Sequence, residues 1–262
     1  MRNLIFTPSK EIRNQLSNDI IPWSWSMRFK EVFLSLTDDF MSLFFPRICA
    51  ACGNSLLKRE DTICLSCEFH LPRTNFHLLQ DNPVFNLFRG KVNLESAASY
   101  LYFNKGSKAQ SLIHQLKYKD RRDIGICLGK QYGQYLKTSP LFNNVQLILP
   151  VPLHPKKLKK RGYNQSEQFA LGLSQSMSLP IINNVLVRIK ETDTQTNKSR
   201  IKRWENVADV FAIRNKEIIE NKHVLLVDDV ITTGATLESC AKTLELITGV
   251  KISVVTIAVA PF

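Results

Sequence analysis

The chain has 262 residues, and with 44% hydrophobic and 22% charged residues it can bury a core in one globular domain plus a small accessory module. That excludes a fibrous or wholly disordered protein. A formal net charge of +12 points to an anionic partner such as a phosphate, a nucleic acid or a membrane surface, and nearly all of it falls in one stretch, Lys105 to Arg161, where 13 basic residues face two acids, Asp120 and Asp123. The N-terminal residues lack the basic cluster, unbroken apolar run and small-residue cleavage site of a secretory signal. No apolar stretch approaches the roughly 18 to 20 residues that a bilayer crossing needs. The sequence therefore predicts a cytoplasmic protein with no stable membrane insertion.

Residues 1–26 show no sustained period and read as a loose, disordered tail, with Met27 as a second candidate start beside Met1. Over 27–45, Phe29, Val32, Phe33, Leu36, Phe40, Leu43 and Phe44 form one helical stripe that ends at Pro46. This amphipathic helix lacks a Lys/Arg-rich polar face, which favours packing within the protein over a membrane surface. Residues 46–71 hold Cys49-Ala-Ala-Cys52 and Cys64-Leu-Ser-Cys67. Two Cys-x-x-Cys pairs let two tight turns present four thiolates to one tetrahedral zinc ion, and with no open position the metal would be structural. His70 and His77 read as surface or packing residues, and Cys127 and Cys240 as small core residues.

A linker is expected from Leu71 to about Asn93, followed by an α/β domain over 94–262. Strands are predicted at 97–103, 145–151, 185–188, 223–227 and 252–259. Helices are predicted at 108–118, around Ile124, Leu128, Tyr132 and Tyr135, at 165–177, and around Leu237, Ala241, Leu244 and Ile247. Such alternation argues for a mostly parallel sheet.

The chemistry concentrates in His223-Val-Leu-Leu-Val-Asp-Asp-Val-Ile-Thr-Thr-Gly-Ala-Thr236. A buried strand delivers Asp228 and Asp229 to its carboxyl end, where open α/β sheets bind ligands. Thr232, Thr233, Gly234, Ala235 and Thr236 then open a helix, a loop whose amides and hydroxyls suit a phosphate. Two acids beside a phosphate cradle fit a phosphorylated sugar with a vicinal diol and Mg²⁺.

This segment resembles the phosphoribosyl pyrophosphate (PRPP) motif of type I phosphoribosyltransferases. From about residue 28 onward the chain is similar to the ComF family, also called the GntX family, of competence-related phosphoribosyltransferase-like proteins. The resemblance rests on Phe45-Pro46-x-x-Cys49 leading into the four cysteines, Leu149-Pro-Val-Pro-Leu-His154, Arg161-Gly-Tyr-Asn-Gln165 and the acidic pair. It implies an N-terminal helix and zinc ribbon before a type I phosphoribosyltransferase domain, the ribbon partly replacing the hood that recognises the acceptor base. It implies that Asp228 and Asp229 hold the ribose diol and residues 232–236 the 5′-phosphate. Pro152, Leu153 and His154 would occupy the pyrophosphate loop, with Arg161, Asn164, Gln165 and Lys117 as further pyrophosphate ligands. Lys156, Lys157, Lys159 and Lys160 add charge there or belong to a solvated face. The polar stretch between Arg188 and Asn206 corresponds to the catalytic loop, in which Lys198, Arg200 or Arg203 would neutralise departing pyrophosphate. Two functions stay open: pentosyl transfer from PRPP to an unnamed nitrogen acceptor, or a non-catalytic, PRPP-responsive adaptor in DNA uptake that contacts competence or DNA-processing proteins or single-stranded DNA.

Overall fold

The computed structural model describes residues 44–189 and 210–261. The chain divides into two units, Met1–Arg47 and Ile48–Phe262, and the architecture below is that of the second. The expected tail over 1–26, nearly all of the expected 27–45 helix, and Lys198, Arg200 and Arg203 lie outside the described residues.

The apolar runs predicted as buried strands form a four-stranded parallel sheet. Strands β1 (Ser96–Tyr102), β2 (Leu147–Pro150), β5 (His223–Ile231) and β6 (Lys251–Val259) lie in the order β1-β6-β5-β2. Val224 to Val227 and Val254 to Val255 are fully buried, as expected of central parallel strands covered on both faces. A separate antiparallel pair joins β3 (Leu186–Arg188) to β4 (Phe211–Ile213).

Strand β5 runs four residues beyond its predicted end because β6 stays beside it to Ile231↔Val259. Its other neighbour stops sooner: β2 pairs through Pro150↔Val227, and a final Val151 N–H to Val227 oxygen bond of 2.8 Å closes that edge. Asp228 and Asp229 therefore begin where β5 has outrun β2, at a step in the carboxyl edge of the sheet.

Helices α3 (Lys108–Tyr118), α4 (Arg122–Thr138), α6 (Gln165–Met177) and α7 (Ala235–Leu244) follow the predicted faces. Three short helices were not predicted: α1 (Leu65–Phe69), α2 (Pro83–Asn86) and α5 (Pro155–Arg161). The basic block is thus helical. Pro155 opens α5, His154 Nδ1 accepts the Lys156 N–H at 3.3 Å, and Gly162 ends it at φ +80°.

The expected linker over 71–93 is part of the core. Phe76, Val84 and Phe88 are buried, and the Thr74 N–H donates to the Tyr100 oxygen at 3.0 Å along the outer edge of β1. Asn82 fastens the segment by accepting from the Val84 and Phe85 N–H groups and donating to the Ala97 oxygen at 2.8 Å. These anchors are single residues at irregular spacing, so no period betrays them.

Helices α4 and α6 meet backbone to backbone. Gly125, Gly129 and Gly133 form one ridge of α4, and a methyl built on Gly129 would overlap the Phe169 carbonyl oxygen, while one on Gly172 would overlap that of Ile126. Alanine normally gains about 1 kcal/mol over glycine in a helix interior. Here the overlap is with backbone that cannot swing away, and overpacking costs of about 1 to 3 kcal/mol prevail. Gly129→Ala should therefore lower the urea midpoint of unfolding, whereas an ordinary helix position would raise it.

Candidate functional site

The four cysteines converge as their spacing requires. The sulfurs of Cys49, Cys52, Cys64 and Cys67 all lie within 4.8 Å of one another. A tetrahedral ion with metal–sulfur bonds of about 2.3 Å holds its sulfurs about 3.8 Å apart, and Cys52 Sγ and Cys64 Sγ stand 3.8 Å apart. The first turn is closed by Gly53 N–H on the Cys49 oxygen at 2.9 Å, with Gly53 at φ +79°. Burial pushes the Cys49 thiol up, but N–H groups of Cys64, Cys52 and Ala51 outweigh it and draw it down to about 7. Burial and the neighbouring thiols push Cys67 up to about 12. Four such sulfurs suit a cation that replaces their protons, and the donor set fits a closed, structural metal site. Elsewhere His77 is buried against the Tyr132 and Tyr135 rings, and Cys240 is fully buried.

At the step in the sheet, Asp228 Oδ1 accepts from Ser166 Oγ at 2.8 Å and from the Asp229 N–H at 2.8 Å. Asp229 points the other way, as alternate strand residues do, and meets Lys117 Nζ at 2.9 Å. Burial first, then the charge of Asp229, pushes the Asp228 carboxyl up to about 7. Residues 232–236 follow, with both Thr232 and Thr233 exposed and Gly234 at φ +76° capping α7. Together with Asp228 they line a small cavity of about 50 Å³. Behind the loop stands Phe88, whose Cε1 would lie 3.3 Å from a Cβ on Gly234. Glycine is favoured there by the left-handed φ, and any Cβ would press on that ring.

Lys117 also lines a larger cavity of about 590 Å³ with Tyr118, Asp120, Lys157, Lys160 and Arg161. The Arg161 guanidinium lies 5.8 Å from the Tyr118 ring centroid and donates to Gln165 Oε1 at 2.8 Å. Asn164 and Gln165 are buried, and their side chains bond within the protein. Asn164 Nδ2 donates to the Val151 oxygen at 2.9 Å while its Oδ1 accepts the Ser166 N–H. Pro152, Leu153 and His154 lead half-buried from β2 into α5. The structure thus brings Lys117, the acidic pair and the 232–236 loop together, places Arg161 across the adjoining basic cavity, and turns Asn164 and Gln165 inward to shape the turn before α6.

Two contributors are not legible in the sequence, since Ser166 and Phe88 carry no motif of their own. Tyr163, within the Arg161–Gln165 block, donates its hydroxyl to the Leu116 oxygen. Serine directly after Asn164-Gln165 at a helix start is the one local signal that Ser166 could face a ligand site.

The chain is similar to several known proteins. Residues 142–260 match the family model described as phosphoribosyl transferase domain. Competence protein F of Haemophilus influenzae is 37% identical over 138 residues, covering 51% of this chain and 60% of that protein. The match therefore spans less than two thirds of that relative's length. DNA utilization protein YhgH of Escherichia coli K12 is 28% identical over 205 residues, 75% of this chain and 83% of the relative. Competence protein ComFC of Bacillus subtilis is 23% identical over 224 residues, 85% of each. No helix among the described residues is long and apolar enough to cross a membrane.

The electrostatics of the acidic pair set a pH dependence. A carboxyl whose pKa is raised on folding, from 3.8 to about 7 for Asp228, contributes stability that is complete below 3.8 and is lost as pH rises through 7. Asp228→Asn removes that loss. The variant should gain stability relative to the parent between pH 4 and pH 8, read as a widening difference in urea midpoints with rising pH.

Proposed function

Since this chain belongs to the ComF family and carries a phosphoribosyl transferase domain, we propose that it binds PRPP with Mg²⁺ and transfers its ribosyl 5-phosphate to a nitrogen acceptor with release of pyrophosphate. The observation that carries the reading is the pair Asp228–Asp229 at the step where β5 outruns β2, with a threonine-rich loop next to it and a basic cavity beyond Lys117. The acids accept from the ribose hydroxyls. The amides and hydroxyls of 232–236 receive the 5′-phosphate at the start of α7. Lys117, Arg161 and the 152–154 turn face the diphosphate. Mg²⁺ supplies the positive charge that lets carboxylates and diphosphate share the site. Lys198, Arg200 and Arg203 remain candidates for closing over the leaving group. The four cysteines hold zinc in a structural role, and two Cys-x-x-Cys pairs of this kind suit a reducing compartment such as the cytoplasm.

A second reading has its own support. The relatives named for competence and DNA utilization, together with the charge on α5, favour a PRPP-responsive adaptor in DNA uptake that contacts protein or single-stranded DNA. Enzymatic turnover separates it from the first reading.

Calorimetric titration of PRPP and Mg²⁺ into the zinc-loaded protein should give a saturable binding curve. Each acid removed takes away charge-assisted hydrogen bonds worth roughly 1.5 to 3 kcal/mol. The double variant Asp228→Asn/Asp229→Asn should therefore bind at least a hundredfold more weakly, and absence of binding by the parent overturns the reading. Elemental analysis should find one zinc per chain, and Cys64→Ser should lose it and open residues 48–71 to limited proteolysis.

A further inference from the structure

The end of α3 and the turn into α4 lie between the four-cysteine cluster and the acidic pair, and bond to both. Gln115 Nε2 donates to the Ala50 carbonyl, inside the Cys49–Cys52 turn. Two residues on, about 200° around the helix, Lys117 Nζ holds Asp229 at 2.9 Å. Between them the Leu116 oxygen accepts the hydroxyl of Tyr163, whose ring packs before α6. Past the helix end, Arg121 grips Asp123 at 2.9 and 2.8 Å, and Asp123 also accepts from the Thr62 side chain. The Thr62 oxygen in turn takes the Ala50 N–H at 2.9 Å. One span of nine residues, Gln115 to Asp123, therefore touches the cysteine turn directly at Ala50, reaches it again through Thr62, and meets the phosphoribosyl site at Asp229.

We infer that the metal on the four cysteines and the ligand of the acidic pair are energetically coupled through this span, with Gln115 as the positioning residue; the identity of that ligand as PRPP rests on the function proposed above. The metal fixes Cys49 and Cys52 and hence the carbonyl of Ala50 between them. That carbonyl seats Gln115 in the last turn of α3, the part of a helix that frays most readily because its carbonyls lack helical partners. A seated last turn keeps Lys117 on Asp229 and at the mouth of the basic cavity. Without the metal the turn frays and Lys117 leaves two adjacent carboxylates facing an anionic ligand. Coupling of this kind is reciprocal: the ligand must tighten the metal by the same factor that the metal tightens the ligand.

The test uses the full chain. Zinc is stripped with a zinc-selective chelator, which is then removed, and hydrogen exchange is followed at amides 115–119 with and without zinc. PRPP and Mg²⁺ are titrated into both forms. Zinc removal should speed exchange at these amides and weaken PRPP by about tenfold, and PRPP should tighten zinc by the same factor. Gln115→Leu leaves every thiol in place and should keep one zinc per chain, yet show the faster exchange and weaker PRPP binding of the metal-free form. This variant supplies the readout should the metal-free chain unfold. Zinc-independent exchange in the parent together with parent-like exchange and PRPP affinity in Gln115→Leu overturns the coupling. A zinc-dependent exchange rate with no PRPP binding in any form upholds the link from the metal to the end of α3 and overturns its coupling to PRPP.

Discussion

Two carboxylates on consecutive residues at the end of a buried strand are costly, because burial and mutual repulsion both oppose their charge. Most of the architecture around the site answers that cost. Asp228 is met by the Ser166 hydroxyl, which brings the start of α6 against β5, and Asp229 by the Lys117 ammonium, which brings the end of α3 there. The step left by β2 gives the acids room on the side away from β6. A shift of either helix along its axis would leave a carboxylate with only the backbone N–H of the next residue.

Rigidity behind the site comes from a different interaction. The glycine-to-backbone contact of α4 with α6 leaves no slack between the helices, so the N-terminus of α6 is held from behind. In front, Asn164 bonds to the Val151 oxygen and to the Ser166 amide, fastening the exit of β2 to the start of α6. The segment between these anchors, including α5, is a closed excursion whose ends are fixed. Its charge can be presented to a ligand while the sheet and α6 remain undisturbed.

Much of this was legible in the sequence. The buried strands announced themselves as apolar runs, α3 and α6 by their periods, the cysteine cluster by two Cys-x-x-Cys pairs, and the acidic pair by the threonine-rich loop after it. What was missed has common physical causes. Helix α5 contains a single apolar residue, Leu158, so hydrophobic periodicity has nothing to register. The 71–93 segment packs through isolated residues such as Phe76 and Phe88, which look like loop residues until β1 and Gly234 are set against them. Ser166 and Gln115 act through partners 62 and 65 residues away in sequence, and no local pattern encodes such a distance.

The strand order has a further consequence for how the protein is made. Among the described residues the strand that pairs with β1 is β6, and the buried Ser99–Thr256 hydroxyl pair joins residues 157 apart. At synthesis rates of roughly 5 to 20 residues per second, β1 waits about 8 to 30 s on the ribosome for the strand that completes it. During that interval the antiparallel contact of Arg73 and Thr74 with β1 is the pairing already within reach. The segment from Leu71 to Val92 can thus serve as a placeholder for nascent β1, covering one edge of a strand whose other edge must stay open until the sheet closes.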